Sequence, residues 1–153
     1  MSKLILDMDP RWEGYINEYT QEAFEKLSRD LTNTHDKVPK PVKRHLKRVE
    51  SLLFLKSVNY ELQDVAEFYC YTILEWSLRD LHRKTEGKNK QNLRPLLIWA
   101  TEKKLVSLDT NKIEFICDCR NGFAHLNSEE DLQGILATDM IQFVVGLINE
   151  MYQ

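Results

Sequence analysis

The chain is poor in the residues that interrupt or staple a fold. Five glycines and four prolines in 153 residues leave little material for a loop-rich or unstructured chain. The three cysteines, Cys70, Cys117 and Cys119, are an odd and sparse set without paired spacing. They make no disulfide framework, which is the usage of a reducing compartment, so a cytoplasmic setting is expected. There is no C-x-x-C pair and no pair of histidines at ligand spacing, so no metal site is expected. Cys117 and Cys119 project to different sides of a helix and read as core or half-buried thiols. No glycine-rich phosphate loop and no G-x-S-x-G turn is present, and no cofactor is expected. No excess of positive charge exists: the formal net charge is −3. Any contact with nucleic acid must then come from a local patch, because the body of the protein exerts no general attraction. No window approaches ~18 uninterrupted apolar residues, so no membrane span is expected. The opening MSKLILDMDP carries one lysine and a very short apolar run, which is not the pattern of a secretory signal.

What the chain does have is helical periodicity. Asp9-Pro10 reads as an N-cap followed by proline at the first helical position. Trp12, Tyr15, Ile16, Tyr19, Ala23, Phe24, Leu27 and Leu31 then recur at steps of three and four, which predicts one long amphipathic helix over 9–33. Its aromatic stripe needs a surface to pack on, either the domain's own core or a partner. Thr32 to Lys40 is a loop by composition. Pro41 opens the next helix, with Val42, Leu46, Val49, Leu52 and Leu53 on its inner face. Lys40, Lys43, Arg44 and Lys47 fall at i, i+3, i+4 and i+7 on another face, with Arg48 beside them. This basic stripe is either a solvated helix face or a phosphate-tracking surface.

Tyr60 to Lys84 is the longest helical stretch, and it is apolar round so much of its circumference that it should sit at the centre of a bundle. Glu75 stands in its most apolar part, YTILEWSL, and a carboxylate buried there needs a partner. Glu75 either orients Arg120 or His125, should this helix pack beside theirs, or lies exposed on the narrow polar face with Glu67 or Arg79. A polar loop at Thr85 to Gln91 precedes a short helix capped by Asn92 and running through Lys104. Asp109 or Thr110 caps the following helix. Leu126 to Leu136 is polar at first and holds at most a turn of helix. Thr138 is a good N-cap for the last helix, lined by Ile141, Val144, Val145, Ile148 and Met151. His35, His45 and His82 lie in polar or charged contexts and suggest no site. There are no convincing strands, repeats or low-complexity tracts. The expectation is an all-α domain over 1–153, a bundle of about four main helices over 41–152 with an additional N-terminal helix over 9–33.

The chemistry gathers at Ile113 to His125, IEFICDCRNGFAH, where an apolar pattern runs into Arg120, Asn121 and His125. Asn121 and His125 are four apart and share a helix face. Arg120 lies ~100° round from Asn121 and ~140° from His125 at 3.6 residues per turn. Arg120 and His125 therefore meet only if the arginine wraps sideways, if Gly122 relaxes the helix end, or if a second copy of the chain supplies the other half. A guanidinium that binds phosphate beside an imidazole that titrates near neutrality is a minimal kit for cleaving RNA.

The spacing R-N-x-x-x-H, set late in an apolar helix and followed by another apolar helix, resembles the signature of HEPN domains. The resemblance covers roughly Leu46 to Tyr152. It implies an all-α, HEPN-like bundle and a metal-independent endoribonuclease that cleaves RNA by attack of the 2′-OH on the adjacent phosphate. His125 would be the acid or base, Arg120 would neutralise phosphoryl charge, and Asn121 would hold the imidazole or bond to the phosphate. One motif offers one histidine, while the reaction needs both a base and an acid. HEPN proteins commonly dimerise so that two motifs face one cleft, which implies a homodimer with a composite site. The resemblance further implies an RNA substrate, a toxin or phage-defence role, and an antitoxin or other regulatory protein as partner. In a subset of HEPN toxins a tyrosine two positions after the histidine is adenylylated; here that position is Asn127, so this form of regulation is not supported. The alternative is a non-catalytic HEPN-like dimeric module that binds RNA, a nucleotide or a protein. A third reading is an unrelated helical adaptor in which Arg120 and His125 are structural.

Overall fold

Helical periodicity governs the whole of the described chain. The computed structural model describes residues 7–15, 20–88, 92–125 and 136–153, with the backbone alone at 13–15 and 125. A 3-10 turn, Pro10–Tyr15, is followed by six α-helices: α1 Gln21–Leu31, α2 Lys40–Leu55, α3 Leu62–Glu86, α4 Leu93–Glu102, α5 Thr110–His125 and α6 Ala137–Met151. No strand occurs among the described residues. The protein is an all-α bundle.

The hub is α3, which packs against α2, α4, α5 and α6, while α1 lies on α2 and α6. Ala66, Cys70, Ile73, Leu74 and Leu78 recur on its inner side at helical spacing and are all buried. Leu46 and Leu53 of α2, Leu96 and Leu97 of α4, Ile116 of α5 and Ile141 and Ile148 of α6 complete the core, each essentially without solvent contact. Side chains of this size contribute about 1.5–3 kcal/mol apiece when fully buried. The central position expected of α3 is the one it takes, but not all of its apolar residues are buried. Val65, Phe68 and Trp76 stand exposed along one stripe of it.

The N-terminal region is not the one continuous helix that the spacing predicts over 9–33. Thr20 adopts an extended backbone, and its hydroxyl accepts the Ala23 amide at 3.1 Å, which starts α1 afresh. Asp9 is more than a cap. Its carboxylate accepts from the Arg11 guanidinium at 2.8 Å and from the Tyr60 amide at 2.8 Å, tying the first turn to the α2–α3 connection. Trp12 follows it inward: its indole N–H donates to the Lys56 carbonyl at 2.9 Å and its ring meets Phe24 and Tyr60. The aromatic stripe is thus spent on the domain's own core at Trp12 and Phe24; Ile16 and Tyr19, and the side chain of Tyr15, lie outside the described residues.

The helix ends follow local chemistry. Gly87, at φ 68°, caps α3, which ends at Glu86, two residues beyond Lys84; its amide bonds to the Arg83 carbonyl at 3.0 Å. The α4 terminus comes at Glu102, short of Lys104. There the Leu105 amide returns to the Ala100 carbonyl (2.8 Å) and the Lys104 amide to Thr101 (3.0 Å), a Schellman motif. It places Lys104 at φ 58°, where a glycine would be unstrained. Asp109, not Thr110, caps α5 by accepting the Lys112 amide at 2.8 Å. Thr138 does not cap α6. Leu136 does, and Thr138 lies in the first turn, with its hydroxyl 3.4 Å from the ammonium of buried Lys56.

The histidines that suggested nothing in the sequence hold the frame. His35 Nε2 donates to the Asn149 carbonyl at 2.8 Å, while its Nδ1 accepts the Lys37 amide, fastening the α1–α2 loop to α6. His82 is buried, edge-on to Trp99, with Nδ1 donating to the Lys88 carbonyl at 2.7 Å.

Candidate functional site

Helix α5 carries the motif because its inner stripe, Ile113, Ile116 and Cys117, is buried against the bundle. That anchoring turns the residues between those positions outward near the helix end. Arg120 is 33% exposed at its side chain and Asn121 is exposed. The arginine turns toward its neighbour Asn121; whether it meets His125 by any of the three routes lies outside the described residues. Its Nη1 reaches back to Asn121 Oδ1 at 3.4 Å. Gly122 does not end the helix, which runs unbroken to His125. His125 is therefore one turn beyond Asn121 by backbone position, and its side chain lies outside the described residues.

Glu75 meets Arg120, as the first of its readings has it; it also pairs with Arg79, but not as the exposed residue of a polar face. Its carboxylate, only 13% exposed, accepts Arg79 Nη2 at 2.7 Å on one oxygen and Arg120 Nη2 at 3.2 Å on the other. The first is an i, i+4 pair within α3; the second joins α3 to α5 across 45 residues of sequence. A half-buried carboxylate with two guanidinium donors holds both cations in fixed directions, more firmly than two exposed pairs would.

Beside Arg120 lies a cleft of about 380 Å³. Glu75 forms one wall, the start of α4 (Asn92, Leu93, Arg94) another, and Cys117, Asp118, Arg120 and Asn121 of α5 the third. Arg94 also pairs with Glu114 at 3.1 Å. Sequence reasoning read Asn92 only as a helix cap, where its side chain makes no capping bond, and did not reach Arg94, because α4 brings both to the motif from more than twenty residues away. The cleft thus presents two guanidinium groups, two carboxylates (Glu75 and Asp118) and the carboxamides of Asn92 and Asn121, a polar lining rich in hydrogen-bonding groups. Among the described residues no three histidine, cysteine, aspartate or glutamate side chains converge as metal ligands do. Cys117 is buried and Cys119 half-buried, and burial raises both thiols above their ordinary pKa.

Behind the motif lies a buried polar cluster that the sequence did not advertise. Glu67 does not share a polar face with Glu75. It sits ~80° round the helix from it and is buried. It accepts the Tyr71 hydroxyl at 2.9 Å, and Tyr71 adjoins Cys119, next in sequence to Arg120. Desolvation pushes the Glu67 carboxyl up to about 7, although the Tyr71 bond pulls the other way. An i, i+4 Glu–Tyr pair in an apolar helix was the only available signal.

The basic stripe of α2 is partly neutralised: Lys43 pairs with Asp36 at 3.8 Å and Lys47 with Glu50 at 2.5 Å. Arg48 instead turns to α3, donating to the Tyr69 hydroxyl at 3.2 Å, and His45 Nδ1 lies 2.5 Å from the same oxygen. No protein-family model, no curated protein and no solved structure matches this chain. No helix among the described residues is long and apolar enough to cross a membrane.

Proposed function

We propose that this chain is a HEPN-type, metal-independent endoribonuclease acting as a homodimer, with Arg120, Asn121 and His125 as its catalytic residues. The observation that carries the reading is Arg120 itself. It stands at the rim of a cleft, held from behind by Glu75 and joined to Asn121, one helical turn before His125. In the proposed reaction the ribose 2′-oxygen forms a bond to the adjacent phosphorus as the P–O5′ bond breaks. One imidazole takes the 2′-OH proton, and a second, from the partner chain, delivers a proton to the departing 5′-oxygen. The products are a 2′,3′-cyclic phosphate and a 5′-OH end. Arg120 neutralises charge on the non-bridging oxygens, an interaction that strengthens toward the transition state. A toxin or phage-defence role and a regulatory protein partner belong to the same proposal and rest on the motif's resemblance.

The test is RNA cleavage in EDTA by wild type, Arg120→Ala and His125→Ala, with product ends mapped. Wild-type cutting to a cyclic phosphate is expected, slowed by about 10²–10⁴-fold without the imidazole. Cutting by either variant at the wild-type rate would remove the mechanism. One observation favours a second reading, a non-catalytic dimeric module. The Arg120 guanidinium is already engaged by Glu75 and Asn121, as a structural arginine would be. A folded dimer that cuts none of several RNAs would decide for that reading.

A further inference from the structure

The exposed stripe on α3 changes character along its length. Trp76, Arg79 and Arg83 follow one another at i, i+3 and i+7, so all three project from one face. Trp76 is 41% exposed, an unusual position for a large aromatic that has a core available. Trp12 and Trp99, the other two tryptophans, are buried. A small cavity of about 130 Å³ opens beside it, walled by Trp76, Arg79, Asp80 and Arg83. The ion pairs in this wall are layered. Glu75 and Asp80 are 13% exposed at their side chains, while Arg79 and Arg83 are 40% and 62% exposed. The carboxylates lie underneath and fix the arginines; the surface that meets solvent is cationic.

Two links connect this face to the rest of the molecule. On the α2 side the His45 ring stands 6.2 Å from Trp76, and His45 and Arg48 share the Tyr69 hydroxyl, so the end of the basic stripe borders the tryptophan. On the α5 side the Arg79–Glu75–Arg120 chain runs from the tryptophan's neighbour to the candidate cleft without a gap. A flat aromatic surface set in a row of directed guanidinium groups matches a single strand of nucleic acid, with a base on the ring and phosphates on the arginines. At a net charge of −3, any hold on a polyanion must come from a local cationic patch such as this one.

We infer that Trp76, Arg79 and Arg83, bordered by Arg48 of α2, form a binding track for single-stranded RNA that leads to Arg120. One base stacks on Trp76, and the backbone crosses Arg79 and Arg83. The inference rests on the ribonuclease reading for its choice of RNA as occupant, yet the track is a binding site whether or not the chain cuts. Trp76 and Arg83 are positioning residues here, since neither reaches the proposed reacting atoms.

The test is binding of a fluorescently labelled 2′-O-methyl RNA 12-mer, which has no 2′-OH to attack, measured by anisotropy against salt. Trp76→Ala should weaken binding by about 5- to 150-fold, and Trp76→Phe should restore most of it. Arg83→Ala should weaken binding and lower the log–log salt slope by about 0.7. Tryptophan fluorescence should be quenched by the 12-mer in wild type and lose that response in Trp76→Ala. Both residues are exposed, and unchanged melting temperatures establish that the variants are folded. Wild-type failure to bind, or unchanged affinity in both Trp76→Ala and Arg83→Ala, overturns the track. So does a Trp76→Ala protein that dissociates from dimer to monomer with the same affinity per chain, which would make this face a contact between copies. Cleavage that depends on Arg120 but not on these residues sinks the track and leaves the ribonuclease standing. Binding that depends on Trp76 in a protein that cuts nothing does the reverse.

Discussion

Removing the charge of Glu67 by Glu67→Gln should stabilise the protein above neutral pH and leave it unchanged in mild acid. The carboxyl is raised from 4.5 to about 7 by burial, so between those values the folded state binds more protons than the unfolded state. Stability must then fall as pH rises through that window and level off above it. At about 1.4 kcal/mol per tenfold change in acidity, the full loss is about 3 kcal/mol. A glutamine keeps an oxygen to accept the Tyr71 hydroxyl, so the variant loses the ionisation and retains the bond. His45, whose pKa is lowered by burial and by Arg48 and Arg44, acts oppositely, adding stability as pH rises through its own range. The wild-type-minus-variant difference cancels that contribution. Urea unfolding at intervals from about pH 4.5 to about pH 8.5 measures it. The difference should be near zero at about pH 4.5 and approach about 3 kcal/mol in favour of the variant by about pH 8. Parallel profiles for the two proteins would refute the reasoning and place Glu67 in a well-solvated environment.

Three further outcomes are expected. Lys104→Gly should stabilise by about 1 kcal/mol in urea or thermal unfolding, because the Schellman motif holds this residue at φ 58°; a destabilised variant would show that Lys104 makes a contact worth more than the strain. On the proposed ribonuclease mechanism, Glu75→Gln should leave the fold melting as a single transition but lower kcat for RNA cleavage by about 10-fold or more with little change in KM, since it would loosen Arg120 in the transition state; a pure rise in KM would reassign Glu75 to ground-state binding. Asp9→Ala should expose the segment before α1 to limited proteolysis, because one carboxylate holds both Arg11 and the Tyr60 amide. Arg11 keeps that carboxyl well below the usual range, so wild type should keep this docking in mild acid and lose it only at very low pH, where the carboxylate is protonated. Equal cleavage of wild type and variant would show that the aromatic packing of Trp12 suffices alone.

The helical class, the span and inner face of most helices, and the residues that crowd the end of α5 were all legible in the order of the amino acids. Those are properties of near neighbours: a stripe at steps of three and four has one face to bury, and Asp109 caps the helix that begins beside it. The same local logic failed at Thr20, where an apolar period ran on across a residue whose hydroxyl begins a new helix. It failed again on α3, where apolar period alone could not separate the buried Leu74 from the exposed Trp76. The sequence raised Glu75 with Arg120 or His125 as one possibility among several; which cations and carboxylates meet was settled by the packed bundle. Glu75 reaches Arg120 across 45 residues, Arg94 joins the cleft from α4, and Glu67 turns inward toward Tyr71. Periodicity tells a helix which side to hide, whereas the packing angle of one helix on another decides whose side chains share a cleft.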